Sequence, residues 1–527
     1  MYLGIVQPIK KTALENNMTK LRRNVIANYI SQIYAVIAGI LSVPVYAQYL
    51  GVEAFGIIGF YVTLQAWFQV LDVGLSTTLS RESSLYNADR SRQFIFSQVK
   101  SLLEKFFYGA AICSVLIFLI SAKWISINWF KANQIEPSTI KLVLQLMGVI
   151  IAFRWLSCLY RGMVVGFELQ VWLAKSNIVV NTVRFLIPLP VIIYFHAGLI
   201  FYFYMQLAVA VAEFFLLQSR MRLQLKSMRV IQCGFEDKVD RSEFQRIINF
   251  AYGVATTSVI WVIVTQTDKL VLSKVLPLDE YGGFSLAIML ANGIILISGP
   301  ISMAMLPRMT NIATTCDKNE LILIYRRLTQ LVVTVLTPVT LVLTMTAYSA
   351  MYAWTGNATL SKNTELILAI YAVGNLLMSV GASTYALQYS LGLIRMHVIG
   401  NIMSAIIYVP CVILAAMKYG AIGAAATWLL VNLIYLLFWI SRIHKKLVPG
   451  VNHMWFTVDT SLILLAGSTP VIFFLLIPID FYQLSRIESL IAIVIVGAMS
   501  FTFSVMASSA SRGLLKSSVL RALRAIF

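Results

Sequence analysis

A chain of 527 residues that is 59% apolar and only 12% charged, with a mean hydropathy of +0.81, lies outside soluble composition and calls for a bilayer as its solvent. Its net charge of +19 would suggest nucleic acid in a soluble protein; here the cations stand in loops beside apolar runs, where they set membrane topology instead. Nucleic acid is therefore not an expected partner. The five cysteines show no paired spacing and the four histidines are scattered, so neither a disulfide framework nor a metal motif is visible, and no cofactor is expected.

Residues 1–23 read as a polar N-terminal tail. Its apolar run from Met1 to Ile9 is short and has no cation ahead of it, so no cleaved leader is expected, and Met18 is an alternative start to Met1. Beyond Arg23, apolar runs of about 20 residues mark spans at 25–49, 56–79, 106–127, 141–165, 176–195, 198–219, 247–274, 283–306, 328–353, 365–391, 397–416, 420–440, 457–478 and 487–509. The fold class is thus an all-α polytopic membrane protein of about fourteen transmembrane helices. The pairs 176–219 and 397–440 depend on turns at His196-Ala197-Gly198 and Lys418-Tyr419-Gly420.

One stretch organises the rest. Gly51 to Glu82 returns in looser form 226 positions later, as Pro277 to Arg308. In each copy a short acidic turn (Val52-Glu53-Ala54-Phe55-Gly56; Leu278-Asp279-Glu280-Tyr281-Gly282) opens a long apolar helix that closes on Arg81 or Arg308. A displacement of six spans preserves orientation, so the repeat implies two parallel six-helix lobes. They occupy 24–219 and 247–440, joined by a basic linker at 220–246. Two further helices follow in 441–509. The tail 510–527 alternates leucines with Lys516, Arg521 and Arg524, the pattern of an amphipathic helix lying on a leaflet.

With the N-terminus inside, cytoplasmic segments and their flanks hold 31 of the 41 Lys and Arg, outer ones 7 and the spans 3, which places both termini in the cytoplasm. Ionisable residues within spans cost at least roughly 2.5 kcal/mol by insertion scales, so each needs a reason. Span 56–79 carries Gln65, Gln69, Asp72 and Ser76 at helical spacing; span 141–165 carries Arg154, Ser157 and Arg161; span 176–195 carries Asn177, Asn181 and Arg184, then Pro188. At about 1.5 Å per residue, Asp72, Arg154 and Arg184 share one depth, with Glu213 somewhat shallower. Asp268-Lys269 lies near the outer end of its span, and the second lobe otherwise shows almost no buried charge. These groups either glue helices together, an acid neutralising an arginine, or line a wet cavity in which arginine forks grip an anion in pairs.

The chain resembles the Wzx-type polysaccharide flippases, or O-antigen transporters, of the MOP superfamily that also holds the multidrug MATE exporters and the lipid II flippase. The resemblance is carried by Leu21-Arg22-Arg23-Asn24-Val25-Ile26-Ala27-Asn28-Tyr29, by Tyr49-Leu50-Gly51 through Phe55-Gly56, by Leu71-Asp72-Val73-Gly74-Leu75 with Arg81-Glu82, and by Thr267-Asp268-Lys269-Leu270-Val271-Leu272 leading into Tyr281-Gly282. It implies two lobes in a V around a cationic cavity. It also implies a bacterial plasma-membrane protein that moves an undecaprenyl-diphosphate-linked oligosaccharide, the precursor of O-antigen or another surface polysaccharide, from the inner to the outer leaflet by alternating access. A polymerase and a chain-length regulator of the same pathway are the protein partners it suggests, beside membrane lipid.

On this reading the substrate-binding candidates are Arg154, Arg184, Lys269, Asn177 and Asn181. Lys269 comes from the family motif and the arginines from type and depth. Asp72, Glu213 and Asp268 are candidates for ion or proton coupling or for counter-charge. An enzyme of the same pathway, a polymerase or ligase, is the first alternative, but the longest outer loop, Asn128 to Ile140, offers only Lys131 and Glu136, and the chain has no P-loop or HExxH motif. A MATE-type drug exporter would favour buried carboxylates over arginines. Topology is directly testable: reporter domains fused after Arg229 should read as cytoplasmic and those after Lys131 as external, and either result reversed overturns the assignment.

Overall fold

A bilayer interior offers no water to backbone amides, so a spanning chain must satisfy them within its own helices. The computed structural model describes residues 11–69, 72, 74–228, 259–314, 317–476, 482–514 and 516, and among them it is helical with no strand. In order the helices are α1 (Lys11–Leu50), α2 (Val52–Gln69), α3 (Leu75–Ala88), α4 (Gln93–Asn128), α5 (Pro137–Gly166), α6 (Gln170–Phe195) and α7 (Leu199–Met228). Then come α8 (259–275), α9 (Leu278–Thr314), α10 (Lys318–Met345), α11 (Ala347–Thr355), α12 (Ala358–Ser390), α13 (Arg395–Leu447), α14 (Val451–Phe474) and α15 (Arg486–Ala507).

Eleven helices among the described residues are long and apolar enough to cross a membrane, so the protein is multi-pass. The count of fourteen is not reached, for identifiable reasons. Helix α13 runs for 53 residues, about 80 Å at 1.5 Å per residue, and is broken at Gly420 (φ 58°, ψ −140°), so it contains the two expected spans 397–416 and 420–440. The start of the expected span 247–274, most of the 220–246 linker and the tail beyond Lys516 lie outside the described residues.

The expected continuous span 56–79 is corrected: α2 stops at Gln69 and α3 starts at Leu75. Gly74 takes a left-handed conformation (φ 75°), which an L side chain resists, and the Asp72 carboxylate accepts from the Ser76 N–H (3.2 Å) and Ser76 hydroxyl, as at a helix N-terminus. The Gln65, Gln69, Asp72, Ser76 stripe is therefore not one helix face. The second copy, α9, instead runs 37 residues through Pro300 and Pro307. The acids at the two openings also differ. Glu53 is buried and accepts from the backbone N–H groups of Asn133 (2.6 Å) and Gln134 (2.8 Å), whereas Asp279 and Glu280 are exposed.

The chain forms two compact units, the first within Met1–Ala54 and Leu64–Val259, the second within Phe55–Thr63 and Ile260–Phe527. Lipid tails are as apolar as leucine, so helices associate through close packing and polar contacts. In the first unit α1 turns Ile26, Ile30, Ile33, Ile37 and Leu41 outward, all more than half exposed, at the spacing of one apolar face. Its core packs Leu79, Phe107, Trp155, Leu159, Met163 and Phe214 from α3, α4, α5 and α7, with Phe107 and Trp155 stacked at 4.6 Å. Gly162 and Gly166 of α5 let the α3 backbone approach so closely that a Cβ on Gly162 would stand 2.5 Å from the Ser76 carbonyl oxygen.

The second unit is pinned by a polar seam on α10. Tyr325 Oη lies 2.7 Å from His444 Nε2, Trp455 Nε1 donates to Thr329 Oγ1 (2.9 Å), and Gln330 Nε2 donates to Asp459 Oδ1 (2.6 Å). Arg326 binds the fully buried Asp459 through Nε (2.7 Å) and Nη2 (3.0 Å). Asp459 falls in 441–509, beyond the repeated lobes, at a place in α14 where hydropathy reads as interface, and a bidentate arginine from another helix makes its burial tolerable. Removing one partner strands the other. Asp459→Ala should cost roughly 3 kcal/mol, read as a lowered thermal midpoint of the purified protein, while Asp459→Leu with Arg326→Met should recover most of that loss.

Candidate functional site

Helix α5 brings Arg154 and Arg161 to one face, because seven residues make close to two turns. Helix α6 presents Arg184 from a widened turn. Pro188 has no N–H to give the carbonyl of Arg184 four residues earlier, the ladder shifts to a π turn over Thr182–Leu186 in which Ile187 N–H reaches Thr182 O (3.2 Å), and Arg184 sits inside that turn. Its carbonyl receives a long contact from Gln206 Nε2 (3.4 Å) on α7.

Glu213 of α7 joins the set. It is buried and shared: Oε1 accepts from Arg161 Nη2 (2.5 Å) and Oε2 from Arg184 Nη2 (2.6 Å). Asn177 Oδ1 accepts from Arg161 Nη1 (2.8 Å) and Asn181 Oδ1 from Arg184 Nη1 (3.4 Å). Arg154 donates to Gln65 Oε1 (2.6 Å) from Nη1 and to Gln206 Oε1 (3.1 Å) from Nη2. One amide, Gln206, therefore faces Arg154 with its oxygen and the Arg184 backbone with its nitrogen, an orientation set by the donors and acceptors around it.

A cavity of about 300 Å³ opens onto this network, and its walls include Gln65, Gln69, Arg154, Arg161, Arg184 and Glu213, with Trp155 and Cys158. The lining holds three guanidiniums and one carboxylate, a formal excess of two positive charges. Each guanidinium is a planar fork that matches phosphate or carboxylate oxygens in pairs and stays charged at any physiological pH. Chemically such a set of forks suits an anion.

Of the sequence-expected residues, Arg154, Arg184, Asn177, Asn181 and Glu213 come together here. The asparagine oxygens are engaged in orienting arginines, and the Ser157 hydroxyl bonds its own helix at Phe153 O (2.9 Å). Asp72 engages Ser76 instead of opposing an arginine. Asp268 and Lys269 belong to the second unit, where Asp268 accepts from Tyr371 Oη (2.6 Å) and Lys269 Nζ reaches Asp268 Oδ1 (3.3 Å) and Thr265 O (2.5 Å). They line no wall of the arginine cavity. Three contributors were left out of the expected set. Gln65 and Arg161 stood on the polar stripes without being named as site residues, and Gln206 is a lone amide in an apolar run, with no partner in sequence to flag it.

A helical, multi-pass chain with a polar cavity inside its first unit has the architecture of a membrane transporter. More than half of it, residues 21–313, matches the family described as polysaccharide biosynthesis protein, and the chain belongs to that family. A candidate O-antigen transporter of Shigella flexneri is 22% identical over 414 residues, 77% of this chain and 93% of that protein. The fold is similar to that of the lipid II flippase MurJ in an inward closed conformation (TM-score 0.68, 14% identity, 91% of this chain and 98% of that one). It is also similar to a multidrug resistance MATE family transporter of the MOP superfamily, facing inward (TM-score 0.58, 12% identity, 78% and 95%). The expected superfamily resemblance thus holds at the level of the fold.

The shared carboxylate sets a measurable coupling. Glu213→Gln should lower the thermal midpoint of the purified protein, since two guanidiniums lose their acceptor charge, and Arg184→Met should then cost far less in that background than alone. The double-mutant cycle is expected to give a coupling energy of roughly 1 to 3 kcal/mol.

Proposed function

We propose that the protein is a flippase of surface polysaccharide synthesis, carrying an undecaprenyl-diphosphate-linked oligosaccharide from the inner to the outer leaflet of the bacterial plasma membrane. The observation that carries this reading is the arginine-rich cavity in a chain of the polysaccharide biosynthesis family. A lipid-linked sugar has one charged part, its diphosphate. Arg154, Arg161 and Arg184 supply forks for those oxygens, Glu213 holds two of the forks in place before the cargo arrives, and the prenyl tail remains in lipid. The cavity opens to the inner and the outer side of the membrane in turn. A polymerase and a chain-length regulator receive the cargo outside, and both termini of the flippase remain cytoplasmic. The names of the Shigella relative and of the lipid II flippase support a cargo of this class.

Translocation of a labelled undecaprenyl-diphosphate oligosaccharide in inverted membrane vesicles tests the reading. Hydrogen bonds to charged groups are worth roughly 1.5 to 3 kcal/mol each, so Arg154→Ala or Arg184→Ala should lower transport by about tenfold or more at unchanged protein level, with Arg→Lys rescuing part. The decisive variant is Arg184→Ala with Glu213→Gln. Restored transport there makes the arginine a counter-ion of Glu213 and overturns the ligand role; continued loss supports it.

A further inference from the structure

The second unit contains a cavity of its own, about 370 Å³, with no charged side chain among its walls. Four aromatic side chains stand among aliphatic ones such as Ile295 and Leu377: Trp261 of α8, Tyr385 of α12, and Trp428 and Tyr435 of α13. Trp428 is held as a wall, its Nε1 donating to Asn375 Oδ1 (2.9 Å) and its ring packed against Tyr408 (5.7 Å). Tyr435 begins a π turn, Tyr435–Ile440, the same local widening that presents Arg184 in the first unit.

Polar groups are set between these rings. His397 Nε2 pairs with Asn401 Nδ2 (3.1 Å), which assigns the ring proton to Nδ1, and the His397 ring lies against Tyr385 at 4.6 Å. Asn432 Nδ2 donates to Trp428 O (2.8 Å), which directs its amide oxygen elsewhere. Ser379, 1% exposed, has a buried hydroxyl with no hydrogen-bond partner. An unmet buried hydroxyl costs free energy, and a hydrocarbon occupant would leave it and the amides unmet.

We propose that this cavity binds a neutral pyranose ring of the carried glycan, with a ring face on Tyr385 or Trp261 and hydroxyls on Asn432, Asn401 and Ser379. The inference rests on the reading that the cargo carries sugar, and it adds a specificity site distinct from the anion cavity. A pyranose is amphipathic in the required sense: its axial C–H face is apolar and suits an aromatic wall, while its rim of hydroxyls both donates and accepts. It has no charge, and neither has the cavity. A diphosphate would find no cation here, and a prenyl chain would find amides it cannot satisfy.

Ligand-observed saturation-transfer titrations on the full-length protein in lipid nanodiscs separate the possibilities. The probes are methyl pyranosides of gluco, galacto, N-acetylgluco and 6-deoxymanno configuration, farnesol as hydrocarbon, and inorganic diphosphate as anion. At least one pyranoside should bind the wild type. Asn432→Leu and Tyr385→Ala should each weaken it about tenfold while diphosphate binding stays unchanged, which also certifies that the variants are folded. Arg154→Ala should do the reverse. The proposal is overturned if no pyranoside binds the wild type, if both variants bind it as the wild type does, or if farnesol is the probe they lose. Failure of diphosphate alone, with the sugar result intact, sinks the anion-receptor reading and leaves this one standing.

Discussion

One carboxylate sets the geometry of the first unit. Glu213 accepts from Arg161 on α5 and Arg184 on α6, so a single pair of oxygens on α7 ties three helices together around the cavity. Two guanidiniums held that close repel each other in a medium of low dielectric, and the acid between them makes their approach tolerable. The balance is positive even so, and Arg154, braced by the neutral amides of Gln65 and Gln206, raises the excess to two charges. The arrangement is preorganised, with forks already oriented by Asn177 and Asn181, so an incoming anion need not pay for ordering them.

The second unit solves the burial of polarity differently. Its bidentate ion pair, Arg326 with Asp459, lines no part of its cavity, nor does the Lys269–Asp268 pair, and Gln330 beside Asp459 accepts from Ala510 N–H (2.9 Å) and Ser509 Oγ (3.0 Å), fastening the segment after α15 to α10. Charge there serves cohesion, whereas in the first unit it faces open space. The two units thus carry cavities of opposite character, one cationic and one without charged side chains, each beside a π turn in a long helix.

Much of this was legible in the chain because a bilayer restricts what a sequence can do. Helices had to form, cations had to gather at span ends, and a buried Arg154 or Arg184 had to have a purpose. What hydropathy does not encode is where a helix breaks inside an apolar run. Asp72 and Ser76 look like members of one polar stripe until the left-handed Gly74 between them and the carboxylate on Ser76 show a helix restarting. Nor does periodicity name partners across helices. Asp459 and Arg326 are 133 positions apart, and Gln206 meets Arg154 from a run that reads as lipid-facing. Asp268-Lys269 shows the same limit, since the motif names two neighbours but not Tyr371, which reaches Asp268 from 103 positions away.

Pro188 and Gln206 are bound by a shared vacancy. The imino acid removes a donor from the α6 ladder, and the amide of α7 leans toward the carbonyl thus released while its other end steadies Arg154. Neither residue is fully intelligible alone. In related chains the two positions should therefore change together: where an ordinary residue closes the α6 ladder, the α7 amide loses half its occupation and is free to drift toward a shorter or apolar side chain. The evolutionary record of a helix kink would then be written on its neighbour.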